Sequence, residues 1–254
     1  MQKLVRHLDL VRHLVRRDFL LNYRRSALGI FWSLLLPLFQ LLVLAFVFQY
    51  IVPLGIEAYP AFLFSALLPW TWFSTCVNGA TGLFIANRDL MRRPSFAPGI
   101  LVLVSALSNL VTYLCAVPVL IAVLVWFGRP LTSAMAAFPL LLAIEGLLIV
   151  GLGLIVATLN VLYRDVQYVV SVALMLLFYL TPVFYSGDTA VPGYAIVAVI
   201  NPLALIIESY RDIFFDGVAP PVGRLALSMV TSIAVSGIGY WVYRSLEPDL
   251  VDVA

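Results

Sequence analysis

The fold class expected from the sequence is an all-α integral membrane protein: six transmembrane helices, an N-terminal amphipathic interface helix and an outer re-entrant helical segment. Composition is the first reason, because 63% of the 254 residues are hydrophobic and 11% charged, whereas soluble domains are apolar in about half of their residues. The mean hydropathy of +1.05 says the same. The second reason is that six apolar runs are each of spanning length, about 20 residues for a bilayer core of about 30 Å. The third is charge placement: twelve of the 15 Lys and Arg residues fall on the side that six spans assign to both termini, and such an excess marks the cytoplasmic face. Residues 1–27 are therefore read as a cytoplasmic interface helix and residues 28–254 as the transmembrane domain.

Taken in order, residues 3–25 alternate with helical period, with Leu4, Leu8, Val11, Val15 and Phe19 on one stripe and Arg6, His13, Arg16 and Arg17 on the other. Such a helix lies flat on membrane lipid, its apolar stripe in the acyl boundary and its arginines against anionic headgroups. The basic region is too long for a secretory signal, and no small-residue cleavage site follows it. Docking onto a partner is the second reading of the same stripe. The first span covers residues 28–52, interrupted by Pro37, and the second residues 61–86. Between the second and third lies a polar island, residues 87–99, NRDLMRRPSFAPG. Asn87 is suited to cap a short helix there, with Asp89 near its positive end and Pro94 as its stop.

The third span, residues 100–127, contains Pro118 and ends at the tight turn Gly128-Arg129-Pro130. The fourth covers residues 134–162, and the polar patch Tyr163-Arg164-Asp165 separates it from the fifth, residues 166–185. Residues 186–221 form the outer segment. Within it, residues 194–207 are apolar but interrupted by Asn201-Pro202, a length typical of re-entrant helices. The sixth span covers residues 225–243. Its Ser228, Ser232 and Ser236 recur every fourth residue, a small-residue seam for close helix approach within the subunit or between copies.

The one lysine is Lys3, far from any glycine-rich loop. A phosphate loop needs a lysine after its glycines, so ATP chemistry of that type must come from a partner. His7 and His13 are six apart, off the spacing of three or four that two ligands on one helical face require, and Cys76 and Cys115 sit in apolar runs. Glu145 is the one clearly intramembrane acid, and two readings stay open: a proton or substrate contact, or a neutral acid hydrogen-bonded inside the bundle. Trp32, Phe39, Phe46 and Tyr50, at spacings of seven, seven and four, keep one face of the first span. Packing and a track for sugar rings are the two readings of that stripe.

YRRSALGIFWSLLLPL (residues 23–38), YPAFLFSALLPWTWF (59–73), the island, LNVLYRDVQYV (159–169), LTPVFY (180–185) and NPLALIIESYRDIFF (201–215) occur in this order along the chain. The whole resembles the membrane-spanning subunit of ATP-binding-cassette exporters of O-antigen, capsule or teichoic-acid polysaccharide. The resemblance implies a permease rather than an enzyme. It would be a homodimer in the bacterial inner membrane, multi-pass with both termini cytoplasmic, moving a lipid-linked polysaccharide. It implies two copies of a nucleotide-binding ATPase subunit that carry the ATP and Mg; no cofactor on this chain and no nucleic acid are implied. By position, Asn87, Arg88, Asp89, Leu90, Met91, Arg92 and Arg93 match the family's coupling helix, and Tyr163, Arg164 and Asp165 its second ATPase contact. The polymer path would run between subunits along the first and fifth spans, which makes Trp32, Phe39, Phe46, Tyr50, Phe178 and Tyr179 its candidate lining. The rivals are an ion-coupled secondary transporter using Glu145, an exporter of a drug or small lipid, and a membrane enzyme of lipid-linked sugar assembly.

Overall fold

The structure is a computed structural model, and it describes residues 13–15, 17, 31–91, 96–187 and 201–253. Among these residues every regular element is helical. The helices are α1 (Phe31–Phe46), which runs on into a wider π-type turn at Val47–Ile51, α2 (Tyr59–Ala86), α3 (Arg88–Met91) and α4 (Gly99–Trp126). After a 3-10 turn at Ser133–Ala137 come α5 (Phe138–Leu162), α6 (Val166–Leu180), α7 (Pro202–Arg211), extended by a π-type turn at Asp212–Asp216, and α8 (Val222–Val253).

Among the described residues four segments are long and apolar enough to cross a membrane: Tyr59–Ala86, Gly99–Trp126, Ser133–Leu162 and Val222–Pro248. Two further apolar helices are shorter, Leu35–Ile51 and Val166–Leu180. The fifth apolar run stops at Leu180 rather than 185 because Pro182 has no amide to continue the ladder. The chain instead turns there, and Thr181 donates its hydroxyl to the Leu177 carbonyl at 2.7 Å. The last helix runs past residue 243 to Val253. At the other turn named in the sequence, Gly128 adopts φ +70°, the left-handed geometry that lets glycine end a helix, and the Arg129 amide donates to the Leu124 carbonyl at 2.9 Å.

α2 is the central post. Residues Tyr59 to Phe73 are buried almost without a break, since α1, α4, α5, α6 and α7 all pack on it. Half a helix covered this thoroughly has no need of an amphipathic stripe. α5 and α8 form the most intimate pair, and the cause is small residues. A Cβ on Gly151 would lie 2.7 Å from the Ser236 Cα, and one on Gly239 would lie 2.2 Å from the Gly151 carbonyl oxygen. The Ser236 hydroxyl donates to the Leu147 carbonyl at 2.6 Å, and Ser228 and Ser232 are fully buried. The serine seam is thus a packing device within one subunit.

Candidate functional site

At one end of the bundle a single apolar cluster gathers the sequence-distant turns. Phe84 of α2, Met91 of α3, Leu101 and Val102 of α4, Leu154, Ala157 and Val161 of α5, and Tyr243 of α8 pack together. The polar island sits on this cluster. Asn87 does not open α3 with its side chain as expected; it closes α2, its amide nitrogen Nδ2 donating to the Leu83 carbonyl at 2.9 Å. Its backbone carbonyl accepts from the amides of Leu90 and Met91 at 3.0 and 3.3 Å, and this is what starts α3. Met91 is 3% exposed, so it fastens α3 to its own bundle rather than facing outward. Arg88 and Leu90 are half-buried and Asp89 is exposed. Arg92 and Arg93 lie outside the described residues, as do most of the N-terminal segment and residues 188–200 of the outer segment. Where the N-terminal segment is described it touches this end: Leu14 and Arg17 line a crevice with Leu83, Asn87 and Leu90, and the Ser108 hydroxyl reaches the Val15 carbonyl at 3.5 Å.

Tyr163, Arg164 and Asp165 are exposed at the turn between α5 and α6. That turn starts from the same cluster through Val161. Its anchor is Asn160, which the sequence reading passed over. Asn160 is buried; its Nδ2 donates to the Thr81 carbonyl of α2 at 2.9 Å, and its Oδ1 accepts the Gln167 amide at 3.0 Å. One amide side chain thereby caps α6 and ties it to the central post. The signal was present in the sequence as an asparagine inside an apolar run, three residues before the polar patch.

The candidate path residues divide. Trp32, Phe39, Phe46 and Tyr50 are all more than half exposed on α1, Tyr50 at 74%, and the Phe46 and Tyr50 rings lie 5.6 Å apart. Tyr179 of α6 is 61% exposed. Phe178 instead turns inward, with ring contacts to Trp70 at 5.3 Å and Phe184 at 5.8 Å, so it packs α6 against α2. Glu145 has no exposed surface. Its polar neighbours are the hydroxyls of Tyr210 and Tyr113, none of them at ordinary hydrogen-bond geometry. The sequence-stripe of aromatics thus stands open, while the lone acid is enclosed.

The other end of the bundle is held by α7. Asn201 accepts the Leu203 amide at 3.1 Å and donates to the Thr181 hydroxyl at 2.8 Å. Arg211, 5% exposed, donates to the carbonyls of Pro182 at 2.6 Å, Val183 at 3.1 Å and Tyr185 at 3.4 Å, and its guanidinium stacks 3.8 Å above Phe62. Arg224 bridges Asp212 at 2.6 Å and Glu208 at 3.5 Å. Partial burial of Asp212, aided by Asp216 and Glu208, outweighs the pull of Arg224 and Arg211 and lifts its carboxyl to about 6.

Comparison with known proteins supplies the family. The family profile described as ABC-2 type transporter matches residues 9–215. The O-antigen export system permease protein RfbA of Myxococcus xanthus is 30% identical over 96% of this chain and 94% of its own length. The protein of the same name from Klebsiella pneumoniae is 29% identical over 94% of this chain and 92% of its own. The polysialic acid transport protein KpsM of Escherichia coli is 26% identical, covering 93% of both chains. With four membrane-length helices, two exposed polar turns seated on one cluster, and a family profile spanning most of its length, this chain belongs to the ABC-2 type transporter family.

Proposed function

We propose that the protein is the permease subunit of an ATP-driven exporter that moves a lipid-linked polysaccharide across the bacterial inner membrane. The carrying observation is that relatives named for O-antigen export and for polysialic acid transport align over nearly the full length of both chains. In this reading α1 and α6 cross the membrane with the four longer helices, giving six spans and cytoplasmic termini. α7 is the re-entrant helix. At about 1.5 Å per residue the 15 residues of α6 rise only about 22 Å, less than the roughly 30 Å hydrocarbon core. α7 and the 181–185 turn fill the remaining depth, held to it by Arg211.

Two such subunits form the pore, and two ATPase subunits bind at the end that carries α3 and the Tyr163–Asp165 turn. Closure of the ATPases pushes on both turns. Because both rest on one apolar cluster, the push reaches α2, α4, α5 and α8 together, and α6 through Asn160. The exposed aromatics of α1 and Tyr179 offer ring faces to the C–H faces of sugars. Enclosure of Glu145 favours this reading over an ion-coupled carrier, in which the acid must meet water on each side in turn. Deleting the gene should abolish surface polysaccharide and leave polymer inside the cell, with the restored wild-type chain reversing both. Surface polysaccharide unchanged in amount after deletion would refute the assignment.

A further inference from the structure

A cavity of about 340 Å³ opens between α1, α2 and α4. That volume falls at the lower end of small-molecule sites. The residues that line it come from the middle of each helix: Leu36 to Gln40 of α1, Leu68 to Thr75 of α2, and Asn109 to Ala116 of α4. It therefore sits at mid-membrane depth, away from both polar ends. Its polar lining is Gln40, Thr71, Thr75, Asn109 and Thr112, two amides and three hydroxyls, with no charged side chain. Its apolar side includes Trp72 and Tyr113, whose rings stack at 5.6 Å with an interplanar angle of 13°.

Polar groups at this depth are costly against lipid tails and are found facing protein or water. Local bonds account for part of the set: Thr71 donates to the Leu67 carbonyl at 2.7 Å and Asn109 to the Ser105 carbonyl at 2.9 Å. The Thr71 and Asn109 oxygens keep accepting capacity beyond those bonds, and Thr75 is exposed outright. A lipid tail would offer no partner to Gln40 and Thr75, nor to the remaining accepting capacity of Thr71 and Asn109. An anion or cation would find no countercharge. A ligand with neutral hydroxyls on one side and C–H faces on the other meets amide and hydroxyl partners on one wall and the apolar surface of Leu36, Pro37 and Leu68 on the next.

Resting on the reading of the protein as a polysaccharide permease, we infer that this cavity is a binding site for an uncharged segment of the carbohydrate, formed within each subunit by α1, α2 and α4. It is separate from the aromatic face of α1, whose Trp32, Phe39, Phe46 and Tyr50 do not line it. The site holds the sugar against Gln40, Thr75 and Asn109 while the subunits rearrange.

The test replaces hydrogen bonding by apolar surface of similar size: Gln40→Leu, Thr75→Val and Asn109→Leu, singly and combined, in the full chain expressed with its ATPase in cells that make the polymer. Apolar residues at this depth suit the membrane, so insertion and ATPase co-purification should match wild type. Surface polysaccharide should fall at least tenfold in the triple variant, with polymer retained inside, and Thr75→Ser should restore the single Thr75→Val defect. Export unchanged or raised by the triple variant overturns the proposal and identifies the cavity as a lipid crevice. Loss of the chain from the membrane in all three single variants overturns it as well, by assigning these side chains to packing. A wild-type chain that fails to restore surface polysaccharide to a deletion strain refutes the permease reading itself, which separates that failure from this one.

Discussion

Three buried polar side chains show how single residues organise this bundle. Asn160 joins α2 to the start of α6, Arg211 satisfies three carbonyls left by the turn after α6, and Glu145 sits among the hydroxyls of Tyr113 and Tyr210. The first two meet the rule that buried polar groups find partners. Glu145 is different: it has no exposed surface, it does not line the cavity, and neither carboxyl oxygen has a hydrogen-bond partner among the described residues. Enclosure between α4, α5 and α7 favours the packing reading over the proton or substrate contact, and the amide analogue is nearly the same shape while staying uncharged. Glu145→Gln is therefore expected to insert at wild-type levels and to export within about twofold of wild type, measured as surface polysaccharide against membrane-protein amount. A Gln variant that assembles normally yet exports nothing would return the proton or substrate contact to the leading position.

At the scale of elements, the polar island carries the strongest prediction. α3 is pinned by Met91, which packs with Phe84, Leu101 and Tyr243, and it presents Asp89 outward. Asp89→Lys should keep normal membrane levels while lowering ATPase co-purification and export at least tenfold. Met91→Asp should instead reduce the amount of folded chain, because it forces a charge into an apolar cluster. Equal co-purification of the ATPase with the Asp89→Lys variant would move the coupling contact to Tyr163–Asp165. That a short helix begins just after Asn87 was legible from the polar island, whereas its expected end at Arg93 before Pro94 lies outside the described residues. Which of its residues face inward was not, because a four-residue helix is too short for its periodicity to be read. The same limit explains Asn87, whose side chain could serve the helix before it or the one after it. α2 was legible as a span, yet its central position was not, since the near-complete burial of Tyr59 to Phe73 leaves no pattern there. The serine seam of α8 was legible as a packing surface, and only the glycines of α5 that meet it reveal the partner helix.

For the molecule as a whole, the two ends of the bundle differ in charge and in architecture. One end carries α3, the Tyr163–Asp165 turn and the residues 13–17 that are described, and of the described arginines it takes Arg17, Arg88, Arg164 and Arg244. The other carries Glu57, Glu208, Asp212 and Asp216, with Arg129 held over Phe215 at 4.0 Å and bonded to the Glu57 carbonyl at 3.2 Å. Basic residues beside spans are retained in the cytoplasm, which predicts that the first end faces the cytoplasm and the second the outside. Six spans would make the same demand, because α2 and α5 must run inward if both termini are inside, bringing Ala86 and Leu162 to one face. In a background with Cys76→Ala and Cys115→Ser, a single cysteine at Val218, which is 53% exposed, should react in intact cells with a membrane-impermeant thiol reagent. One at Tyr163, which is 66% exposed, should react only after the membrane is opened. A cysteine at Arg244, whose neighbour Tyr243 packs in the same cluster as Val161, should behave like Tyr163. Labelling of Tyr163 and Val218 with equal ease in intact cells would mean that the chain is not oriented by its arginines, and the ATPase contact would then have to be sought at the end held by Arg211.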